Sequence, residues 1–358
     1  AESTNWRTAL EWSLEARNDT LLGQRLVAAL SGELRSLGFA TALRWLKAAR
    51  TSATDGTPAT VLARLDLLES RFLTWLGRYA AARGVGERAL ARYLDLDELL
   101  RVAEAKSDLA RMLFMLGQNA ESERLLQEAL STARTAGARK LAAEALGNLA
   151  VASVSRNDVA EARIRLSEGL TLTKASGHTM LEAIFSSNLA EVEFRGGDAA
   201  AAVRAAGQSL AAFRRFKASY SALNVVIATS NIAAYLVALG RFDEARGHAR
   251  EALQLARSID LDTFVAVALQ HLAAIAALRP RDDEVRRHEQ RSRAAQLLGY
   301  TDMRLGTLVT VREYTEQREY DEAMTSLRDA LGAERTQRLI DEGRAWDENR
   351  AVAEAALV

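Results

Sequence analysis

The sequence contains no cysteine, which excludes disulfides, thiolate metal sites and a cysteine nucleophile. It has 2 proline residues in 358, so helices can run long without interruption. Its four histidines, His178, His248, His271 and His288, stand far apart and leave little for an imidazole-based metal site. Neither sign of charge is in excess, with 47 basic and 47 acidic residues. No global field therefore draws the chain to nucleic acid or to an anionic membrane. No apolar run approaches the 18 or so residues of a membrane span. The opening AESTNWRTAL has neither a basic n-region nor an apolar h-region, so no secretory signal is expected and the chain is assigned to the cytoplasm. It also lacks an initiator methionine, which fits a fragment or a processed chain.

Catalytic patterns are equally scarce. There is no Gly-x-Ser-x-Gly elbow, and His288–Glu289 lacks a second histidine at metalloprotease spacing. There is no Gly-Lys dipeptide, hence no Walker-type phosphate loop. Asp282–Asp283–Glu284 open a helical pattern, where acidic groups meet the positive end of the helix dipole. The chain is expected to be no enzyme, with no metal and no cofactor.

What is present is a repeat. LARMLFMLGQNAESERLLQEAL (109–130), LAVASVSRNDVAEARIRLSEGL (149–170), LAEVEFRGGDAAAAVRAAGQSL (189–210) and IAAYLVALGRFDEARGHAREAL (232–253) align. Their turn positions are Gly117, Asn157, Gly197 and Gly240, with weaker copies at Gly77, Gly38 and Arg281. The spacings are 39, 40, 40, 40, 43 and 41, and a fixed period of this size marks stacked helix pairs. Small residues recur five positions after the turn (Ala82, Ser122, Ala162, Ala202, Ala245) and twelve after it (Ala89, Ala129, Gly169, Ser209, Ala252). These mark close helix approaches.

Each unit reads as helix, turn, helix, with one first helix over 139–155 and its partner ending near Ala175. The turn residues suit positive φ, and Asp158 and Asp198 suit the N-cap of the second helix. Arg134, Lys174, Arg214 and Arg257 share a register that meets the negative dipole end; the Arg214–Arg215–Lys217 cluster takes the same explanation over a nucleic-acid patch. TSATDGTPAT (51–60) reads as a loop, with Thr57 as N-cap and Pro58 as first helical residue. After Leu298 the period fades, and helices near 302–316, 320–331, 333–343 and 347–357 are expected to form a C-terminal cap. The domain division is therefore 1–298 for the array and 299–358 for the cap.

The unit resembles the tetratricopeptide repeat: NLAEVEFRGGDAAAAV carries its leucine, small residues and turn glycine. The usual repeat is shorter, and most of its aromatics are replaced here by Leu or Ala. The resemblance implies an all-α, right-handed superhelical solenoid of tetratricopeptide-like pairs. NWRTALEWSLEARNDTLLGQRLVAAL (5–30) is similar to the segment after the ATPase module of large bacterial signalling ATPases, as in LuxR-type regulators. RLIDEGRAWDENRAVAEAAL (338–357) resembles their C-terminal segment, with Gly343, Arg344, Ala345, Ala351 and Val352 in place and Trp346 where a small or aliphatic residue is usual. This implies a sensor region of a transcriptional regulator. The switch ATPase and the DNA-binding domain would lie outside the chain, with no direct nucleic-acid or membrane contact.

Asn148, Asn188 and Asn231 each stand nine residues before a turn position. Asp108 shares that register, and His271 lies one residue off it. In tetratricopeptide arrays this register faces the concave surface and resembles the asparagines that clamp a peptide backbone. An amide both donates and accepts, which suits an extended peptide; the alternative is that each Asn bonds the neighbouring repeat. Arg71, Arg111, Glu144, Ser187 and Glu191 lie on the same face, while Phe114, Met115, Phe185 and Phe194 suit the core or the groove. The expected partner is a protein, a peptide or a small effector, bound through Asn148, Asn188, Asn231, Asp108, Arg111, Glu144, Glu191 and His271. Glu104, Glu144, Ile184 and Ile227 occupy the slots that hold basic clamp residues in chaperone-tail receptors, which argues against that partner. A freestanding adaptor unrelated to transcription is the alternative reading.

Overall fold

The computed structural model describes residues 2–30, 34, 38–216, 219–280 and 282–358. Lys217, Ala218 and Arg281 lie outside the described residues. Helices make up the ordered structure, with no strand among the described residues. The chain divides into two compact units, residues 1–158 with 171–176, and residues 159–170 with 177–358.

The first unit opens with α1 (Glu2–Leu10), continued by a π-helical turn at Glu11–Glu15, then α2 (Thr20–Ala29) and α3 (Phe39–Thr51). Regular pairs follow: α4 (Ala59–Trp75) with α5 (Tyr79–Asp95), and α6 (Leu99–Met115) with α7 (Asn119–Thr135). After these comes α8 (Arg139–Ser155). Its core joins Leu10, Trp45, Leu68 and Phe72 at one end and Leu109, Met112, Leu125 and Leu146 further on. Asp66 of α4 is fully buried and receives three cations: Arg50 of α3, Arg92 at 3.0 Å and Arg88 at 3.8 Å. A lone buried carboxylate would be costly; the guanidiniums supply its counter-charge.

α9 (Val159–Ala175) belongs to the second unit except for its last turn. Then come α10 (Thr179–Arg195) with α11 (Ala199–Phe213), α12 (Ser219–Ala238) with α13 (Phe242–Ser258), and α14 (Asp262–Leu278) with α15 (Glu284–Thr307). α16 (Tyr314–Leu331), α17 (Ala333–Arg344) and α18 (Glu348–Ala355) complete it. α13 is a typical outer helix: Ala245, Ala249, Ala252, Leu253 and Ala256 are buried at helical spacing. α14 is different, because every residue from Val265 to Ala277 is buried. A helix buried all round needs partners on all sides, and here α16 lies along the side that an outer helix would leave open.

The repeat logic holds in detail. The six turn positions among the described residues have positive φ, from 61° at Asn157 to 89° at Gly38. The small residues five and twelve positions later are buried, and Ser122 and Ser209 donate to the Ala110 and Ala183 carbonyls of the facing helix. A side chain on Gly169 would strike the Phe185 ring. Asp198 caps α11 through the Ala201 N–H at 2.8 Å.

Two boundaries differ from the sequence expectation. Pro58, not Thr57, precedes the first helical residue, with φ −57° and ψ 136°. The Thr57 hydroxyl instead donates to Gln24 and accepts from the Thr54 N–H, because the loop must be tied back to α2. The expected helix at 302–316 does not exist as a unit. α15 continues through Gly299 to Thr307, and a loop at 308–313 separates it from α16. Gly299 and Gly343 let α15 and α17 cross in backbone contact, since a Cβ on either would overlap the other helix's main chain.

Candidate functional site

The first helices of the pairs carry the candidate residues, and each unit presents its own set. In the first unit, α4 and α6 are laced by charge. Arg71 donates from Nε to Asp108 at 2.5 Å and from Nη2 to Glu104 at 2.7 Å. Arg111 reaches Asp108 at 2.5 Å, and Arg64 and Arg101 reach Glu104 at 3.2 and 2.7 Å. Burial pushes the Glu104 carboxyl up, but Arg71, Arg101 and Arg64 outweigh it and bring it down to about 2. Four guanidiniums thus face Glu104 and Asp108, and Glu144 of α8 adds a third carboxylate within reach of Arg71. On α8, Glu144 is half-buried with Lys140 3.8 Å away, and burial raises its pKa against that neighbour's pull.

The three asparagines do not behave alike. Asn148 of α8 donates to the Ser107 hydroxyl of α6 at 3.3 Å, a bond to the neighbouring repeat. Asn188 of α10 and Asn231 of α12 are half-buried, and no hydrogen bond joins either amide to another described residue. The two share a register on consecutive first helices of the second unit.

Elsewhere on that face the positions are occupied from within the chain. Glu191, one turn beyond Asn188, accepts from Tyr235 at 3.2 Å, from Thr315 at 2.7 Å and from Arg195 at 2.8 Å. His271 is fully buried, with Nε2 2.9 Å from Ser230 Oγ and Nδ1 2.7 Å from Glu319 Oε2. Burial lowers its pKa, yet Glu319 outweighs burial and the net shift is upward. With α16 in place His271 presents no free atom to a ligand. Asp108 is likewise buried and held by two arginines, so these two act first as structural partners. Phe185 and Phe194 are core residues, while Met115 is exposed at the end of α6.

The sequence reading missed Tyr235, Gln270, Thr315 and Glu319, which complete the second unit's polar face. One signal was present. Gln270–His271 is the only strongly polar pair inside an otherwise apolar α14. Gln270 donates to the Glu316 carbonyl at 2.8 Å and to Glu319 at 3.2 Å, and accepts from Arg312 at 2.6 Å.

Fold and site together define an array of tetratricopeptide-like helix pairs. Residues 102–136 and 226–259 match the tetratricopeptide repeat family. No curated protein matches the chain. Among solved structures, a signal transduction ATPase with numerous domains, bearing a tetratricopeptide repeat sensor and coming from Pyrococcus horikoshii, is similar at TM-score 0.58 and 15% identity; the match covers 92% of this chain and 49% of that one. A Rap protein complexed with competence and sporulation factor is similar at TM-score 0.56 and 13% identity, covering 95% and 98%. NprR in complex with its cognate peptide NprX is similar at TM-score 0.54 and 12% identity, covering 91% and 94%. At these identities the likeness is one of fold.

Proposed function

We propose that the chain is the peptide- or protein-sensing region of a larger bacterial regulator. It binds on its first-helix face, the concave one in tetratricopeptide arrays. Asn188 and Asn231 carry the reading: two half-buried amides in one register with no partner of their own. Mid-helix Asn is disfavoured by propensity, so a recurring Asn that bonds nothing within the fold points to a bond made outside it. An extended peptide offers the unpaired N–H and C=O groups that such amides satisfy. The fold shared with a sensor-bearing signalling ATPase and with the peptide-bound NprR supports the regulatory setting. In that setting ligand binding biases a nucleotide switch, and so transcription, from domains beyond this chain.

The test is a random-peptide display selection on the full chain, followed by calorimetry of the selected peptide against Asn188→Ala and Asn231→Ala. Each variant is expected to lose about 1–3 kcal/mol of binding, the cost of a missing buried hydrogen bond, with no fall in melting temperature. Equal affinity for both variants and the parent would remove the reading.

A further inference from the structure

α16 is the anomaly of the second unit. It runs alongside α14 in the same direction: Gln270 meets Glu316, His271 meets Glu319, and the Ser326 hydroxyl donates to the Ala277 carbonyl at 3.2 Å. Its first turns also cross two further first helices. Thr315 bonds Glu191 of α10, Arg195 of α10 lies 4.7 Å over the Tyr314 ring, and Arg318 stacks 5.0 Å over Phe194. Tyr235 of α12 bonds the same Glu191, and α12 also touches α16 directly. One helix of the chain therefore lies on the face that three first helices of this unit present.

Two independent observations indicate that this seat is not permanent. The first is the quality of the interface. Glu316 Oε2 and Glu319 Oε1 are buried with no hydrogen-bond partner among the described residues. Buried carboxylate oxygens without donors oppose docking. Burial also raises the Glu316 pKa, which its own backbone bond only partly counters. The fully buried apolar anchor lies in the second half of the helix, at Ala323, Met324 and Leu327, with Tyr320 half-buried before it. The second observation is the lead-in. Val309 has φ +52°, a region that β-branched residues rarely enter. Val309 and Val311 are 93% and 85% exposed, so no side chain packs over the strained residue itself, and the loop is tied down at its far end by Arg312, bonded to Gln270 and Asp302.

We infer that α16 is a releasable occupant of the first-helix groove of this unit, hinged at 308–313, and that an acidic peptide binding there takes its place. The chemistry of the competitor is set by what α16 supplies. A carboxylate must meet His271 and Gln270 as Glu319 does. A hydroxyl or amide donor must meet Glu191 as Thr315 does, and apolar residues must follow as Ala323, Met324 and Leu327 do. The inference rests on the peptide-binding reading, because the groove that α16 leaves is the one Asn188 and Asn231 border.

The hinge is testable without any ligand, by hydrogen–deuterium exchange with mass spectrometry on the full chain. Amides of 314–327 are expected to exchange together, roughly tenfold or more faster than those of α14, as a unit opening below the global free energy. Thr315→Ala with Glu319→Gln is expected to speed α16 by about another tenfold while peptides from 59–115 stay unchanged. The chain has no cysteine, so Ala277→Cys with Ser326→Cys makes a clean clamp. Oxidation of that pair is expected to slow α16 to the rate of α14, and reduction to restore it. Exchange of α16 in step with α14 in the unmodified chain would overturn the inference, and would leave the asparagine reading standing. A selection that yields no binding peptide while α16 opens on its own would remove the peptide reading, and the competitor with it, and leave only the releasable helix.

Discussion

The two units solve the same problem on the same helix face in opposite ways. In the first, the first helices neutralise one another: Arg71 bridges Glu104 and Asp108, and Arg101 and Arg111 reach the same carboxylates from the surface. In the second, the polar groups are buried, and a later helix of the chain supplies the missing partners at Glu191, Gln270 and His271. Charge pairs between neighbouring repeats need no additional element, and they tolerate water. A buried His271–Glu319 pair exists only while α16 stays in place. The comparison teaches that a repeated helix face need not have a repeated role.

The largest expected difference lies in backbone packing, which among the described residues only the second unit takes to contact distance. Gly343→Ala forces α17 away from the Gln296 carbonyl and should cost about 3 kcal/mol, the upper part of the overpacking range. Urea unfolding followed by Trp346 fluorescence should shift, while exchange protection of α4–α7 stays as it was.

Asp66→Asn is the counterpart in the first unit. It leaves Arg50 and Arg92 without a buried counter-charge. Because both arginines keep partial solvent access, the loss should be about 2 kcal/mol, below the range for a fully buried pair. Here α4–α6 should lose protection and α14 should not; equal loss in both units would break the comparison.

pH separates the units by sign. The folded pKa of His271 is raised above its ordinary 6.5, so its pair contributes stability that is full below pH 6.5 and lost as pH rises through the folded value. Glu316, also raised by burial, acts in the same direction from about pH 4.5 upward. Glu104 is depressed to about 2, so its contribution is present above pH 4.5 and lost as pH falls toward 2. Glu144, raised by burial, opposes this just above pH 4.5. Exchange at α16 should therefore quicken as pH rises above 6.5, after correction for the intrinsic rate. Exchange at α4 and α6 should quicken only in acid.

The smallest effects concern the asparagines. Asn148→Ala removes a 3.3 Å bond to Ser107 and should cost about 0.5 kcal/mol. Asn188→Ala and Asn231→Ala should stabilise by a few tenths of a kcal/mol, since no bond is lost and helix propensity improves. A thermal-melt series across the three variants checks the order, and a loss at Asn188 as large as at Asn148 would count against its being unpartnered.

Much of the fold was legible because helix pairing is local. The period of the turns, positive φ at Gly117 and Asn157, and the burial of Ala82, Ser122 and Ala252 follow from spacing alone. So does the Asp198 cap, which reaches only three residues ahead. The helix expected from 302 stands apart in the sequence because the period fades after Leu298, yet α15 runs on through Gly299. In α15 it is a crossing point, and its partner Gly343 lies in another helix. Of the candidate binding residues, the register of Asn188 and Asn231 was readable. That His271 and Asp108 are enclosed was not.

The sequence by itself determined that this is an array of helix pairs, where its turns fall and which small residues meet across each pair. These are decided by propensity, chirality and contacts within one repeat. Only the tertiary structure decided which polar residues of the shared face remain open. His271 carries the same signal in sequence whether it meets a ligand or Glu319, 48 residues later. What separates the two is whether α16 reaches back over α14, and that depends on the summed free energy of a polar interface, an apolar anchor and a strained Val309, not on any pattern within a repeat.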